Sequence, residues 1–355
     1  MIQELTKDAI VLLQDLISKQ SFSSEEDETA LLIMQWFSTH DIKFESQNHN
    51  VWAKNKHFDA SKPTILLNSH HDTVKPNKAY TRDPFLAEII DGKLYGLGSN
   101  DAGGCLVSLL ATFTYFYQQK DLKYNLVIVA SAEEESSGTQ GLNSMLSVIP
   151  HIDVAIVGEP TLMQLAVAEK GLLVLDCTAH GTAGHAAHGL GENSIYKAME
   201  AIEWFKTFEF PKISEALGKM KMTVTQVNAG SQHNVIPAEC SFVVDVRVTD
   251  AYTNQEVLDI VKKNVYIEVK ERSLRLNSSS IPLEHPLVKS GISLGRETYG
   301  SPTLSDQSVL TCPSLKLGPG DSLRSHTADE FIYVNEIEEG VELYIEVLKN
   351  VISHP

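Results

Sequence analysis

The stretch that most constrains this chain runs from Val129 to Gly138, where an apolar segment ends in consecutive glutamates. Leu126 to Ala130 is an unbroken apolar run of the length typical of a buried β-strand. Glu133, Glu134 and Glu135 follow it almost directly. Unpaired carboxylates beside a low-dielectric core are costly, because they lose hydration without gaining a counter-charge. We therefore expect a positively charged group, such as a metal ion, to lie at this strand end.

The size and charge of the chain limit its class. Its 355 residues are enough for two ordinary domains. A formal net charge of -17 argues against nucleic acid or an anionic membrane as a partner. No apolar run is long enough to span a bilayer, and the first residues lack a signal-peptide pattern. We therefore predict a cytoplasmic protein.

The four cysteines fit no metal-binding or redox spacing and sit in apolar surroundings. They are Cys105, Cys177, Cys240 and Cys312. We predict buried free thiols in a reducing compartment.

Short apolar strands alternate with helices over the first part of the chain, which predicts an α/β fold with a mostly parallel sheet. Helices are predicted at 7–20, after a Ser23–Ser24 N-cap, and at 102–117, with strands at 44–53, 64–68, 126–130 and 153–157. The same style resumes near the end, with a helix at 286–299, a strand at 314–317 and a helix at 335–351.

The pattern changes near Gly171 to strand–helix–strand–strand–helix–strand, the order of a small ferredoxin-like α+β domain. Strands are predicted at 172–178, 222–227 and 240–248, and helices at 193–208 and 254–263. Because the α/β style resumes afterwards, we predict that this domain, residues 171–280, is inserted into a larger one. The larger domain comprises residues 1–170 and 281–355 and carries the candidate ligands.

Potential metal ligands follow several strands or turns of the larger domain, where sites of open parallel sheets form. They are His70, Asp72, Asp101, Glu134, Glu135, Glu159 and His326. Each alone could be an ordinary hydrogen-bonded or solvated residue, and their coincidence is the signal. Imidazoles and carboxylates without a thiolate suit zinc, manganese or cobalt. There are enough carboxylates for two ions, and one of two adjacent glutamates could bind metal while the other moves a proton.

The order of motifs resembles the dinuclear-zinc M20 peptidases and deacylases over nearly the whole chain. The matching stretches are His70-His71-Asp72, Gly96 to Asp101, Glu133-Glu134-Glu135, Gly158 to Thr161, and His326 with Glu330. The resemblance implies that Asp101 bridges two metal ions. It also implies that His70 and Glu159 complete the coordination of one ion, and that Glu135 and His326 complete that of the other. Glu134 would be the general base and then the acid, Asp72 would orient His70, and the Asp101–Ala102 peptide would be cis.

The inserted domain resembles the family's lid and dimerisation domain. By that resemblance His185, or less strongly His188, reaches the active site of the partner subunit and stabilises the oxyanion. Asn193 in the same motif could instead be a helix cap. Asn234 and Arg247 are candidates for holding the substrate carboxylate, the alternative for Arg247 being a salt bridge to Asp245. Gly318 and Gly320 are further candidate substrate-binding residues.

The resemblance implies a homodimeric, two-metal hydrolase of N-acyl amino acids. N-acetylornithine, in arginine biosynthesis, is the first expected substrate. The alternatives are acylated citrulline or succinyl-ornithine, succinyl-diaminopimelate, acetyl-lysine, or a dipeptide or carboxypeptidase substrate. Departures at Leu97, Ala102–Gly104 and Leu304–Gln307 leave the substrate open. A non-catalytic metal-binding scaffold is the remaining alternative, and the presence of Glu134 argues against it.

Overall fold

The computed structural model describes residues 1–353, which form two compact units. The first unit comprises Met1–Val167, Ser280–Tyr299 and the chain from Ser305 onward. The second comprises Ala168–Ser279 and Gly300–Leu304. The short segment Gly300–Leu304 was expected in the larger domain, and the structure places it in the second unit instead.

The helices and strands account for most of the described chain. The helices are α1 (Ile2–Ile17), α2 (Asp27–Thr39), α3 (Gly104–Phe116), α4 (Leu142–Met145), α5 (Ser194–Thr207), α6 (Asn254–Asn264), α7 (Pro286–Ser293) and α8 (Val334–Ile352). The first strands are β1 (Phe44–Gln47), β2 (Asn50–Lys54), β3 (Thr64–His70), β4 (Glu88–Ile90), β5 (Lys93–Tyr95), β6 (Asn125–Ser131), β7 (Val154–Val157), β8 (Leu165–Glu169) and β9 (Gly171–His180). The others are β10 (Gly184–His185), β11 (Lys221–Ala229), β12 (Val235–Ile236), β13 (Glu239–Val248), β14 (Glu268–Glu271), β15 (Ser279–Ser280), β16 (Thr298–Ser301), β17 (Ser314–Lys316) and β18 (Phe331–Tyr333).

The main sheet of the first unit has the strand order β1-β2-β6-β3-β7-β17-β8. Its central strands β6, β3, β7 and β17 are parallel, while β2 and β8 join them antiparallel. The predicted α/β fold with a largely parallel sheet is therefore confirmed, with antiparallel strands at its margins. In register, His70 lies opposite Ser131 and Asn68 opposite Val157. The carboxyl ends of β3, β6 and β7 consequently meet at one edge.

Alternate residues of the central strands enter two cores on opposite faces of the sheet. Ile65 and Leu67 pack into the larger core with residues of α1, α3 and α8, whereas Leu66 faces the smaller one with Val127 and Val129. This alternation is what a strand covered on both faces requires, and it explains the continuous apolar runs of the sequence.

A small separate sheet brings the C-terminal segment back beside the turn formed by residues 96–101. Its strand order is β18-β5-β4, all antiparallel. The Gly96 N–H donates to the Glu330 carbonyl at 3.0 Å. Residues 326–330 are thereby fixed beside residues 96–101.

The second unit contains a four-stranded antiparallel sheet of order β11-β13-β9-β14. With α5 and α6 this gives a βαββαβ unit with the strand order of a ferredoxin-like fold. Its own core includes Leu173, Leu175, Phe205 and Phe242.

Several local predictions were wrong. The single strand expected at 44–53 is two strands joined by a tight turn, with φ of 50° at Asn48 and 63° at His49. Ser23 and Ser24 do not cap α2; Glu26 occupies that position, and Ser24 has a φ of 73°. The helix expected at 286–299 ends at Ser293, because the chain turns there and then enters β16.

The cysteine prediction holds for three of the four residues. Cys105, Cys177 and Cys240 are buried free thiols, whereas Cys312 is partly exposed. Among residues 1–353, no helix is both long and apolar enough to cross a membrane.

Candidate functional site

His70 ends β3 and points into the edge where the central strands meet. Its side chain is 1% exposed. Nδ1 donates to the backbone carbonyl of Asp72 at 3.0 Å, which fixes the ring. Nε2, the other ring nitrogen, has no hydrogen-bond partner although it is buried. A buried polar atom without a partner needs an explanation.

Three carboxylates surround that nitrogen. Nε2 of His70 lies 3.5 Å from Oδ1 of Asp101, 3.8 Å from Oε1 of Glu159 and 3.9 Å from Oε2 of Glu134. His70, Asp101 and Glu159 offer ligand atoms close enough together to hold one metal ion. A cation among these atoms would supply the missing partner, so the donor set fits a metal.

A second group shares Asp101. Nε2 of His326 lies 3.0 Å from Oε2 of Glu135 and 3.5 Å from Oδ2 of Asp101. Asp101, Glu135 and His326 could hold a second ion. Asp101 thus turns one oxygen toward each histidine, which is the arrangement expected of a bridging carboxylate. Glu134 belongs to neither group.

The carboxylates of the site act on one another electrostatically. Burial, and then repulsion from Asp101, raises the pKa of Glu159 to about 8. Burial and the charges of Glu159, Asp306 and Glu135 raise the pKa of Glu134 well above its ordinary value, although His70 opposes the shift. Glu135, followed by Asp101, raises the pKa of His326 to about 9. A divalent cation between these groups would offset the repulsion.

The turn that carries Asp101 is held by a carboxylate to which the sequence analysis gave no role. Glu330 is 2% exposed. It accepts the backbone N–H groups of Gly98 at 3.2 Å, Asn100 at 2.9 Å and Asp101 at 2.9 Å. The Asp101–Ala102 peptide bond is cis, as the resemblance implied. The only signal for Glu330 was its spacing from His326.

Asp72 contacts both sides of the site. Its carboxylate accepts the N–H of Glu134 at 3.0 Å and that of Glu135 at 3.1 Å. Ser23 Oγ also donates to it at 2.7 Å. Asp72 thus lies beside His70, as its predicted orienting role requires, and in addition it holds the backbone of the two glutamates.

Asp306 is a second buried carboxylate that the sequence analysis did not select. Ser131 Oγ donates to it at 2.5 Å, and Asn68 Nδ2 donates to Ser131 at 2.9 Å. Burial raises the pKa of Asp306 to about 6, although Ser131 and His70 oppose the shift. The departure noted at Leu304–Gln307 was the only sequence signal for it.

Gly318 and Gly320 are required by packing. A Cβ on Gly318 would lie 2.6 Å from both Cys105 Sγ and the Glu159 carbonyl. Gly320 has a φ of 90°, and a Cβ there would lie 2.5 Å from Asn100 Oδ1. Close approach to the ligand-bearing segments explains both glycines, and their contact with substrate stays a prediction.

The other predicted residues lie in the second unit. Strands β10 and β12 pair there, and the Ala186 N–H donates to the Asn234 carbonyl at 3.0 Å, so His185 and Asn234 are neighbours. Arg247 forms a two-pronged ion pair with Asp245 at 2.9 and 3.1 Å, the alternative that the sequence left open. Asn193 caps α5 by accepting the Ile195 N–H at 2.9 Å.

Curated relatives of similar length match most of this chain. An acetylornithine deacetylase of Erwinia tasmaniensis is 29% identical over 314 residues, 82% of this chain and 81% of the relative. A succinyl-diaminopimelate desuccinylase of Ruegeria is 26% identical over 277 residues, 72% of this chain and 69% of the relative.

Solved structures share the fold at lower identity. The aminopeptidase PepT of Bacillus cereus superposes with a TM-score of 0.77 at 17% identity, covering 99% of both chains. A dinuclear metal-binding M20 peptidase of Bacillus subtilis superposes with a TM-score of 0.73 at 16% identity, covering 98% of both chains. Residues 66–350 match the family described as peptidase family M20/M25/M40, and this chain belongs to that family.

Proposed function

We propose that this protein hydrolyses the N-acyl amide bond of an N-acyl amino acid with two divalent metal ions, and that N-acetylornithine is its first candidate substrate. One observation carries the reaction class. Two ligand groups share Asp101, and a partly buried carboxylate, Glu134, lies beside them without belonging to either. A scaffold that only bound metal would have no use for that additional acid.

Each residue of the site has a separate task in this proposal. His70, Asp101 and Glu159 hold one ion, and Asp101, Glu135 and His326 hold the other. When bound, the two ions would polarise the acyl carbonyl and acidify the attacking water. Glu134 takes the proton from the water and gives it to the departing amine. Burial is the first cause of the raised pKa of Glu134, and a raised pKa suits a group that holds a proton between two steps.

The relatives support N-acetylornithine as the first candidate and desuccinylation as the main alternative. Relatives named acetylornithine deacetylase reach 29% identity, and one named succinyl-diaminopimelate desuccinylase reaches 26%. The remaining candidate substrates are acylated citrulline, acylated lysine and short peptides. Zinc is the first candidate metal, with cobalt and manganese as alternatives, because the donors are imidazoles and carboxylates.

A panel assay tests the substrate. The purified protein is loaded with zinc, cobalt or manganese and offered N-acetyl and N-succinyl forms of ornithine, citrulline, diaminopimelate and lysine, together with a dipeptide. We expect the largest kcat/KM for N-acetylornithine, measured by release of the free amine. If a succinyl compound or the dipeptide has a higher kcat/KM, that compound is the substrate and N-acetylornithine is not. No hydrolysis of any compound would contradict the reaction class.

We propose further that the second unit is a lid and dimerisation domain and that the protein is a homodimer. Strand β11 is an edge of its sheet and is largely exposed along its length. Exposed apolar side chains lie on this strand and on the helix that packs beside it, among them Val227, Tyr196 and Met199. An uncovered edge with apolar neighbours is a template for pairing with a second chain.

Within that dimer, His185 would act on the partner's active site. We expect Glu134→Gln and His185→Ala to be inactive alone but to complement each other when mixed dimers form. A mixed dimer has one site with both residues intact, so random pairing should restore about a quarter of the wild-type activity. The measurement is turnover after the two variants are unfolded together and refolded.

The controls separate dimerisation from catalysis. Adding Val227→Asp to both variants should give monomers by light scattering and remove the complementation. If His185→Ala alone keeps wild-type turnover, the role in the partner's site is wrong. A wild-type protein that is monomeric at micromolar concentration would contradict the dimer.

A further inference from the structure

The acidic turn after β6 is held by its backbone as well as by its side chains. Three consecutive N–H groups, those of Glu133, Glu134 and Glu135, each donate to a carboxylate. Asp72 accepts the second and third, and Glu26 accepts the first at 3.0 Å. Glu133 has a φ of 54°, so the turn adopts a backbone conformation that is uncommon for a non-glycine residue. These carboxylates fix the direction in which Glu134 and Glu135 point.

Glu26 is buried completely, although it is a carboxylate far from the turn in sequence. One of its oxygens accepts both the Ser24 N–H at 2.7 Å and the Glu133 N–H. The other lies 2.8 Å from Nδ1 of His49. A buried carboxylate is costly unless its oxygens accept hydrogen bonds. The burial of Glu26 is therefore tolerated only while these donors stay in place.

The position of Glu26 at the start of α2 does not explain its burial. Its side chain makes no capping hydrogen bond to the helix. Its contacts instead join three separate segments: the turn before α2, the β1–β2 turn through His49, and the acidic turn through Glu133. His49 also lies 3.2 Å from Asp27, which orients its ring. The side chain therefore acts outside its own helix.

We propose that Glu26 is a positioning residue that, with His49, holds the turn bearing Glu134 and Glu135 in place for the second metal group and for proton transfer. The proton-transfer part rests on the proposed function, whereas the metal part does not. Residues that orient metal ligands without touching the ion commonly affect metal affinity and activity when replaced. Glu26 touches neither ion group nor the reacting atoms.

The test compares Glu26→Ala with Glu26→Gln. Alanine leaves the N–H groups of Ser24 and Glu133 without an acceptor. Glutamine keeps one oxygen for both of them, and His49 can accept from the new amide by changing its tautomer. Titration with Co²⁺, followed by its absorption spectrum, should show two sites in the wild type. In Glu26→Ala we expect affinity at one of them to fall about 10–100-fold, with restoration to near wild type in Glu26→Gln.

Two further measurements separate positioning from general stability. Amide hydrogen exchange at residues 133–135 should be faster in Glu26→Ala and unchanged in Asn125→Ala. Asn125 is the matched control, because it is a buried polar residue that anchors a loop at the opposite end of β6 through bonds with Asp59 and Lys62. Asn125→Ala should lower Tm while both Co²⁺ affinities stay at the wild-type values. Glu26→Asp, which shortens the side chain, replaces Glu26→Ala if that variant does not fold.

The outcomes are decisive whatever the substrate. If Glu26→Ala binds both Co²⁺ ions with wild-type affinity and its turn exchanges at the wild-type rate, the positioning role is wrong. If the wild type hydrolyses none of the panel compounds but the titration changes as expected, the proposed function fails and the positioning of the second metal group stands.

Discussion

Replacing Glu134 by glutamine is expected to lower kcat by about 10²–10⁴-fold, the usual contribution of a general acid–base group. The amide has nearly the shape of the carboxylate but cannot take the proton of the water. Because Glu134 belongs to neither ligand group, both ions should remain bound. KM should change little, since the loss falls on the chemical step.

The neighbouring glutamate provides the control for that experiment. The carboxylate of Glu133 accepts hydrogen bonds from Ser24 Oγ and the Gln140 N–H and belongs to neither ligand group. Glu133→Gln can keep both bonds, because the new amide oxygen can accept the Gln140 N–H and Ser24 Oγ can accept from the amide nitrogen, so kcat should stay within about twofold of the wild type. Metal content by elemental analysis and kcat on the best panel substrate are measured for both variants. A Glu134→Gln protein with wild-type turnover would contradict the mechanism.

The second large effect is expected from Asp101→Asn. Asp101 is the residue common to both ligand groups. Its loss should therefore lower the affinity for both ions and remove activity. Glu159→Gln changes only the ligand group that contains His70, so the ion held by the other group should stay bound. The expected metal contents are therefore two ions for the wild type, about one for Glu159→Gln and none held tightly by Asp101→Asn.

Thermal unfolding checks the same prediction without an assay of activity. At 100 times the dissociation constant a bound ion adds about 2.7 kcal/mol to the stability of the folded state. Zinc should therefore raise Tm of the wild type by about 5–10 °C, and that of Asp101→Asn by much less. His151→Ala, which removes an exposed histidine, should behave as the wild type. A wild-type Tm that does not respond to zinc, cobalt or manganese would contradict the metal centre.

The parts of the site that could be predicted from sequence are those with a local signal. The apolar run before Glu133 and the run before His70 each predict a strand with a polar end. Because neighbouring parallel strands have their carboxyl ends at the same edge of the sheet, the two polar ends are expected to lie together. The structure indeed places His70 opposite Ser131 at that edge. The assignment of each ligand came from the motif resemblance, not from periodicity.

The supporting residues lacked such a signal because their partners are remote. Glu26 bonds to a residue 107 positions later, and Glu330 to one 229 positions earlier. The amino acids next to Glu26 and Glu330 in the sequence do not indicate that either carboxylate is buried. The error at 44–53 has a local cause, since Asn48 and His49 adopt positive φ and turn the chain inside the polar run of residues 45–50. A pattern over ten residues does not report contacts across a domain.

The pairing of β18 with β5 also sets the order in which the site is completed during synthesis. His70, Asp101 and Glu159 all precede the second unit in the chain, whereas His326 comes 191 residues after Glu135. Domains form as units while the N-terminal part emerges first. Glu330, which holds the turn that carries Asp101, lies in that same last segment. We therefore expect neither ligand group to be complete until the last segment has been made and laid against β5. A chain that stops before residue 326 would lose His326 and the support of Asp101 together.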